Sequence, residues 1–180
     1  LKSVVVGRDN RSSSPSLAGS FIRGLAKTGC DSTYIGVSTT PAIHYLTCTH
    51  DFDTGVNVTA SHNPINYNGF RIDYAKAKPF FGQDITSLAE IVESGNFEMG
   101  AGKNTEEELL GHYVEYFQNN FSIKNKLNVL IDCGGGVTSE VATEILNSLK
   151  VNATEFLCQP GLNLPQDVPD PENPLFLKDI

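Results

Sequence analysis

The chain has no apolar run approaching the roughly 18 residues that a membrane-spanning helix requires, which sets aside a membrane role. Basic residues are in deficit, with 13 Lys and Arg against 21 Asp and Glu and a formal net charge of −8. Such a surface repels duplex nucleic acid and anionic lipid, so neither is expected as a partner. The four cysteines, Cys30, Cys48, Cys133 and Cys158, include no C-x-x-C pair, and no paired histidines stand at zinc-like intervals. They read as reduced, buried thiols of a cytoplasmic protein. Neither Gly-x-x-x-x-Gly-Lys-Ser/Thr nor Gly-x-Gly-x-x-Gly surrounds Gly134-Gly135-Gly136, so the two common nucleotide-phosphate loops are missing too.

What is present is enough for a packed core: 180 residues, 39% of them apolar. Val4-Val5-Val6 is a β-branched strand ending at Gly7, and Ser14-Pro15 opens a helix with serine as cap and proline at the first position. Tyr34 to Val37 reads as a second strand, and Thr40-Pro41 repeats the helix start. Val56 to Thr59 and Gly69 to Asp73 complete a β-α-β-α-β-β order. A helix from Ile85 to about Glu93 follows, then one from Thr105 to about Phe121 opened by the capping box Thr105-x-x-Glu108. Leu127 to Ile131, Val137 to Leu149 and Ala153 to Leu157 start a fresh strand-helix-strand cycle. The spacing predicts a three-layer α/β/α fold on a mixed, mostly parallel sheet over 1–124, with the start of a second α/β domain over 125–180.

The chemistry concentrates in Thr59-Ala60-Ser61-His62-Asn63-Pro64, directly after a strand-like Gly55-Val56-Asn57-Val58. A serine at the carboxyl end of a buried strand stands in the crevice where α/β sheets bind ligands, and Ser61 is the candidate phosphoryl carrier. His62 offers an imidazole that can donate a proton or a hydrogen bond. Arg8 and Arg11, in the Gly7-Arg8-Asp9-Asn10-Arg11 turn after the first strand, sit on the same sheet edge and are candidates to neutralise phosphate; a solvated strand-to-helix connection is the plainer alternative. Asp132 to Gly136 reads as a structural glycine turn, and His44, His50 and His112 as lone surface or packing residues.

Thr59 to Pro64 followed by Ile65-Asn66-Tyr67-Asn68-Gly69-Phe70-Arg71-Ile72 resembles the active-serine signature of the α-D-phosphohexomutases, the phosphomannomutase/phosphoglucomutase family. The Gly7 to Arg11 turn, Asp132-Cys133-Gly134-Gly135-Gly136, and the Val168-Pro169-Asp170-Pro171 segment resemble three further family landmarks in the right order. The resemblance implies that Ser61 carries a phosphate, gives it to a hexose phosphate to form a bisphosphate, and recovers the other phosphate once the sugar has turned. It assigns His62 and Arg71 to catalysis, and Asn63 joins Arg8 and Arg11, whose support is fold position alone, as a candidate for phosphate binding. It also implies Mg2+ held by the phosphate on Ser61 and by an Asp-Gly-Asp-x-Asp-Arg loop that this chain lacks, and a hexose 1,6-bisphosphate activator. Arg71 departs from the lysine usual after Asn-Gly-Phe. A guanidinium clamps phosphate but does not readily exchange a proton.

Two features lead to the expectation of a fragment: the chain opens at Leu1 already entering a strand, and it ends after a Pro-rich stretch; the missing metal-loop motif adds the expectation that it is inactive alone. Residues beyond about Ser122 are expected to self-associate through an incomplete second domain. Phosphoglucosamine mutase, a seryl-phosphate phosphatase, and a non-catalytic phosphosugar-binding module remain the alternatives, and native chain length separates the last from a mutase.

Overall fold

Strands β1 (Ser3–Arg8), β2 (Asp31–Val37), β3 (Thr54–Val58), β4 (Phe70–Tyr74), β5 (Lys78–Pro79) and β6 (Asn104–Glu106) form one sheet in the order β5-β4-β3-β1-β2-β6. The computed structural model describes residues 2–159 and Pro174, so most of the segment from Val168 onward lies outside the described residues. β1 pairs parallel with β2 and β3, and β2 with β6, whereas β4 runs antiparallel to both β3 and β5. The sheet is therefore mixed with a parallel centre, as the strand-helix alternation predicts.

Period-two alternation divides the central strands between two helices. Val4, Val6 and Val56 face α1 (Ser14–Lys27), where Phe21, Ile22 and Leu25 pack on them. Val5 faces the other way, into a cluster with Ile35, Leu109, and Ile43 and Leu46 of α2 (Thr40–Thr49). Each such side chain, fully buried, contributes about 1.5–3 kcal/mol. Two glycines let α2 lie close on the sheet. A Cβ on Gly55 would come within 2.6 Å of Ile43 and Thr47, and one on Gly7 within 2.9 Å of Ile43 and Ser38.

Several expectations change in three dimensions. The helix starts shift by one residue: Ser13 precedes α1, Thr39 caps α2 by accepting from the Ala42 N–H, and the Ser14 hydroxyl donates to the Asp9 carboxylate instead of capping. α3 (Gln83–Ser94) matches its apolar spacing. Thr105, however, does not open a helix. It lies in β6, where Thr33 and Thr105 hydroxyls meet at 3.2 Å, and α4 starts only at Leu110 and runs to Asn120. The open edge of β2 offers backbone partners that outweigh a local capping pattern.

A second, parallel pair, β7 (Asn128–Asp132) and β8 (Asn152–Phe156), follows α4. The expected long helix between them is divided into a 3-10 turn over Val137–Glu140 and α5 (Ala142–Ser148). Cys133 and Cys158 are not reduced thiols: they form a disulfide, because the Asp132–Phe156 register ends both strands together with the cysteine Cα atoms 4.8 Å apart. Cys48 is exposed rather than buried. The Asn10 amide donates to the Gly135 carbonyl at 2.8 Å, so the first-strand turn touches the glycine turn of the second pair. No helix among the described residues is long and apolar enough to cross a membrane.

Candidate active site

The loop after β3 is held from beneath by one buried arginine. Arg11 Nη2 donates to the carbonyls of Ser61 (2.9 Å) and Asn63 (2.8 Å), Nη1 to those of Pro64 (2.8 Å) and Tyr67 (3.1 Å), and Nε to Asp9 (3.1 Å). A guanidinium has five N–H donors, and all five are used. Arg11 thus corrects its expected role: with its side chain 4% exposed and no donor left, it holds the loop and does not reach a phosphate. The turn that presents it is knit in the same way, since Asp9 accepts from the Arg11 backbone N–H and from Ser14, and donates its own N–H to the Val58 carbonyl.

Within the loop, the Ser61 N–H donates to the Thr59 hydroxyl and the Asn63 N–H to the Ala60 carbonyl. Ser61 itself has φ +54°, in the left-handed region that costs a side-chain-bearing residue of order 1 kcal/mol. Packing of the loop on Arg11 keeps it there and turns the exposed serine outward. On the return, Asn68 donates to the hydroxyls of Ser13 and Ser14 and accepts from Gly69, tying the loop to the start of α1.

Above the loop lies a cleft of about 560 Å³ whose walls include Thr40, Thr59, Ser61, Asn63, Tyr67 and Arg71. Thr40 opens α2, so the positive end of that helix faces the cleft. Arg71 stands on β4 with its Nε and Nη2 on the Asp73 carboxylate, at 3.3 and 3.1 Å. Asp73 also receives His44 Nε2 at 2.9 Å and has no exposed surface. The structure therefore brings Ser61, Asn63 and Arg71 to one cleft. His62 is exposed and does not line it, and neither does Arg8, whose Nε donates to the Tyr34 hydroxyl and Nη1 to the Asp9 carbonyl.

Asp73 and His44 escaped the sequence reading, which treated His44 as a lone histidine. The Arg71-x-Asp73 spacing on a strand carried a usable signal, because residues two apart share a face. That α2 would bring His44 to the same face depends on Gly55 and has no local signature.

No group of three or more His, Cys, Asp or Glu among the described residues can hold a metal ion. The two buried carboxylates of this edge, Asp9 and Asp73, are committed to Arg11 and Arg71. The residues present do not by themselves fit a magnesium site, and Ser61 is the one oxygen donor assigned to it from sequence.

The structure is a mixed α/β sheet that carries an arginine-held serine loop at the carboxyl end of β3, with Ser61 in the left-handed region. Comparison with known proteins names the family. Residues 1–99 match the phosphoglucomutase/phosphomannomutase alpha/beta/alpha domain I and residues 111–180 match domain II. The chain belongs to this family, the α-D-phosphohexomutases. It is 32% identical over 177 residues to a phosphomannomutase/phosphoglucomutase of Pseudomonas aeruginosa, covering 98% of this chain and 38% of that protein. A phosphoglucosamine mutase of Methanococcus vannielii is 29% identical over 153 residues, covering 82% of this chain and 34% of that protein. A solved phosphoglucomutase/phosphomannomutase family protein from Burkholderia thailandensis superposes with a TM-score of 0.93 at 29% identity, over 99% of this chain and 41% of the other. The chain thus spans well under half the length of these relatives.

Proposed function

We propose that this chain is the phosphoserine-bearing part of a phosphohexomutase that interconverts hexose 1-phosphate and hexose 6-phosphate, with mannose and glucose as the sugars. The observation that carries the reading is the Ser61 loop: an exposed serine at φ +54°, fixed from below by Arg11 and open to the cleft. In the transfer step, the bond between Ser61 Oγ and phosphorus breaks as a sugar hydroxyl oxygen bonds to the phosphoryl group. The hydroxyl proton passes through a nearby base to the leaving Ser61 Oγ, which becomes the free serine hydroxyl. The bisphosphate turns over, and its other phosphate returns to Ser61.

His62 is the loop residue whose ring nitrogens can donate or accept a hydrogen bond, and Arg71 and Asn63 are the groups suited to hold phosphoryl oxygens. Arg8 adds a cation that has no carboxylate partner among the described residues. Magnesium would supply countercharge to the phosphate, with Ser61 the one residue of this chain assigned to hold it, and a hexose 1,6-bisphosphate primes the serine. The chain alone is therefore inactive. A phosphoglucosamine substrate is the second reading, favoured by the similarity to the Methanococcus vannielii protein.

We propose the division between the two domains at residues 124 and 125. The packing of Tyr45 of α2 on Tyr113 and Tyr116 supports leaving α4 with the first sheet, although the match to domain II begins at residue 111. Exposed Phe121, Leu127 and Leu130 support self-association of the later segment, which sedimentation at rising concentration checks. The central test is phosphopeptide mapping of the native, cytoplasmic protein. Phosphate on Ser61 that disappears in Ser61→Ala, with loss of mutase turnover, is the expected result. A bare serine in an active enzyme overturns the reading.

A further inference from the structure

We propose that Asp73, oriented by His44, is a positioning residue for Arg71 and makes its guanidinium a fixed anion-binding edge of the Ser61 cleft. The proposal deepens the phosphoryl-carrier reading and rests on it for its purpose, while its geometry rests on three contacts. Asp73 Oδ1 takes Arg71 Nη2 at 3.1 Å, and Oδ2 takes Arg71 Nε at 3.3 Å and His44 Nε2 at 2.9 Å. The carboxylate accepts from all three nitrogens, so His44 presents its Nε2 proton. Arg71 is half exposed and Asp73 is fully buried, so the mobile partner is anchored by the immobile one.

The placement follows from the sheet. β4 puts Arg71 opposite Asn57 and Asp73 opposite Gly55 in the antiparallel register. Both side chains face α2, because Phe70 and Ile72 occupy the other face, against Phe21 and the α1 cluster. Gly55 lacks the Cβ that would strike Ile43 and Thr47, so α2 comes close enough for His44 to reach the carboxylate.

Two consequences follow for a bound phosphate. First, the side-chain freedom of Arg71 is spent within the fold, before the ligand arrives. The donors left over, both on Nη1 and one on Nη2, have no protein partner among the described residues, and Arg71 lines the cleft. Second, Asp73 offsets the guanidinium charge, so the edge holds an anion by directed hydrogen bonds more than by net charge. That suits a site that must release a phosphoryl group as well as hold it. It also assigns a use to an arginine at a position where proton exchange is not available.

The test is NMR on the 180-residue chain with labelled arginine, titrated with inorganic phosphate. In the unmodified chain the Arg71 Nε–H signal is expected to be sharp and slow to exchange with water, and phosphate is expected to shift the Ser61 and Gly69 amides. Asp73→Asn should lose the slow Nε–H exchange and weaken phosphate binding by roughly tenfold, the scale seen when an outer partner of a binding group is removed. His44→Gln, which can still donate to the carboxylate, should stay near the unmodified chain, and His44→Ala should fall between. Asp73→Asn with unchanged Nε–H exchange and unchanged phosphate affinity overturns the proposal. If Asp73→Asn does not fold, an Arg71 Nε–H that exchanges as fast as a solvated arginine in the unmodified chain overturns it alone. A protected Nε–H with no phosphate shift at Ser61 or Gly69 overturns Arg71 as an anion-binding edge, whereas the carrier reading falls only on a bare Ser61 in the phosphopeptide map.

Discussion

Arg11 and Arg71 each pair with a carboxylate beside the same loop, yet the two pairs are built differently. Arg11 and Asp9 are both buried, and every donor of the guanidinium is used inside the protein. Arg71 has a buried carboxylate on one side and an open cleft on the other. The first pair sets backbone shape and the second presents a side chain. Separating the two jobs lets a loop that holds Ser61 in a left-handed conformation stay rigid while the surface facing the ligand keeps unsatisfied donors.

The largest effect should come from removing the inner pair. Arg11→Ala leaves Asp9 buried without its cation and strands four loop carbonyls, which predicts a loss of about 3–5 kcal/mol in urea unfolding. Ser61 and Asn63 amides should lose their protection from hydrogen exchange in the same variant. Smaller and on the other wall, Gly55→Ala forces a Cβ against Ile43 and Thr47 and should cost about 1–3 kcal/mol. It should push α2 and His44 away from Asp73 and speed Arg71 Nε–H exchange, with the Arg11-held carbonyls undisturbed. Equal loosening of both walls would show that the pairs are not separate devices.

The smallest effect concerns a third carboxylate, at the opposite end of the sheet. Backbone N–H groups of Lys2 and Ser3 donate to Asp53 and hold its carboxyl below the ordinary 3.8. A depressed folded value means stability that is present above the unfolded value and lost as pH falls through the folded one. Between about pH 5 and pH 2 the unfolding midpoints of the parent and Asp53→Asn should therefore converge. The chemical shifts of the Ser61 loop should not distinguish the two proteins in that range, since among the described residues the Asp53 carboxylate is tied to the start of β1 alone.

Much of the layout was legible because it is local. Three consecutive valines, Ser/Thr-Pro helix starts and the spacing of Phe21, Ile22 and Leu25 each follow from the neighbouring few residues. The Ser61 loop was legible for the same reason, and its conformation adds to the reading without changing it. β6 was not legible: Thr105 to Glu108 is a sound capping pattern, overridden by a strand partner some seventy residues earlier, with Thr105 opposite Thr33. The Cys133–Cys158 pair was hidden likewise, since a separation of 25 residues closes only when β7 and β8 align.

By itself, then, the sequence determined the order of strands and helices from β1 to β4, the serine placed in the loop after β3, and the family whose signature surrounds it, because those properties are written in short-range patterns. Only the tertiary structure decided that Arg11 is a clamp rather than a ligand, and that Asp73 and His44 stand behind Arg71. A guanidinium acquires its role from which acceptors the fold leaves within about 3 Å of it, and those acceptors come from chain segments far apart in sequence.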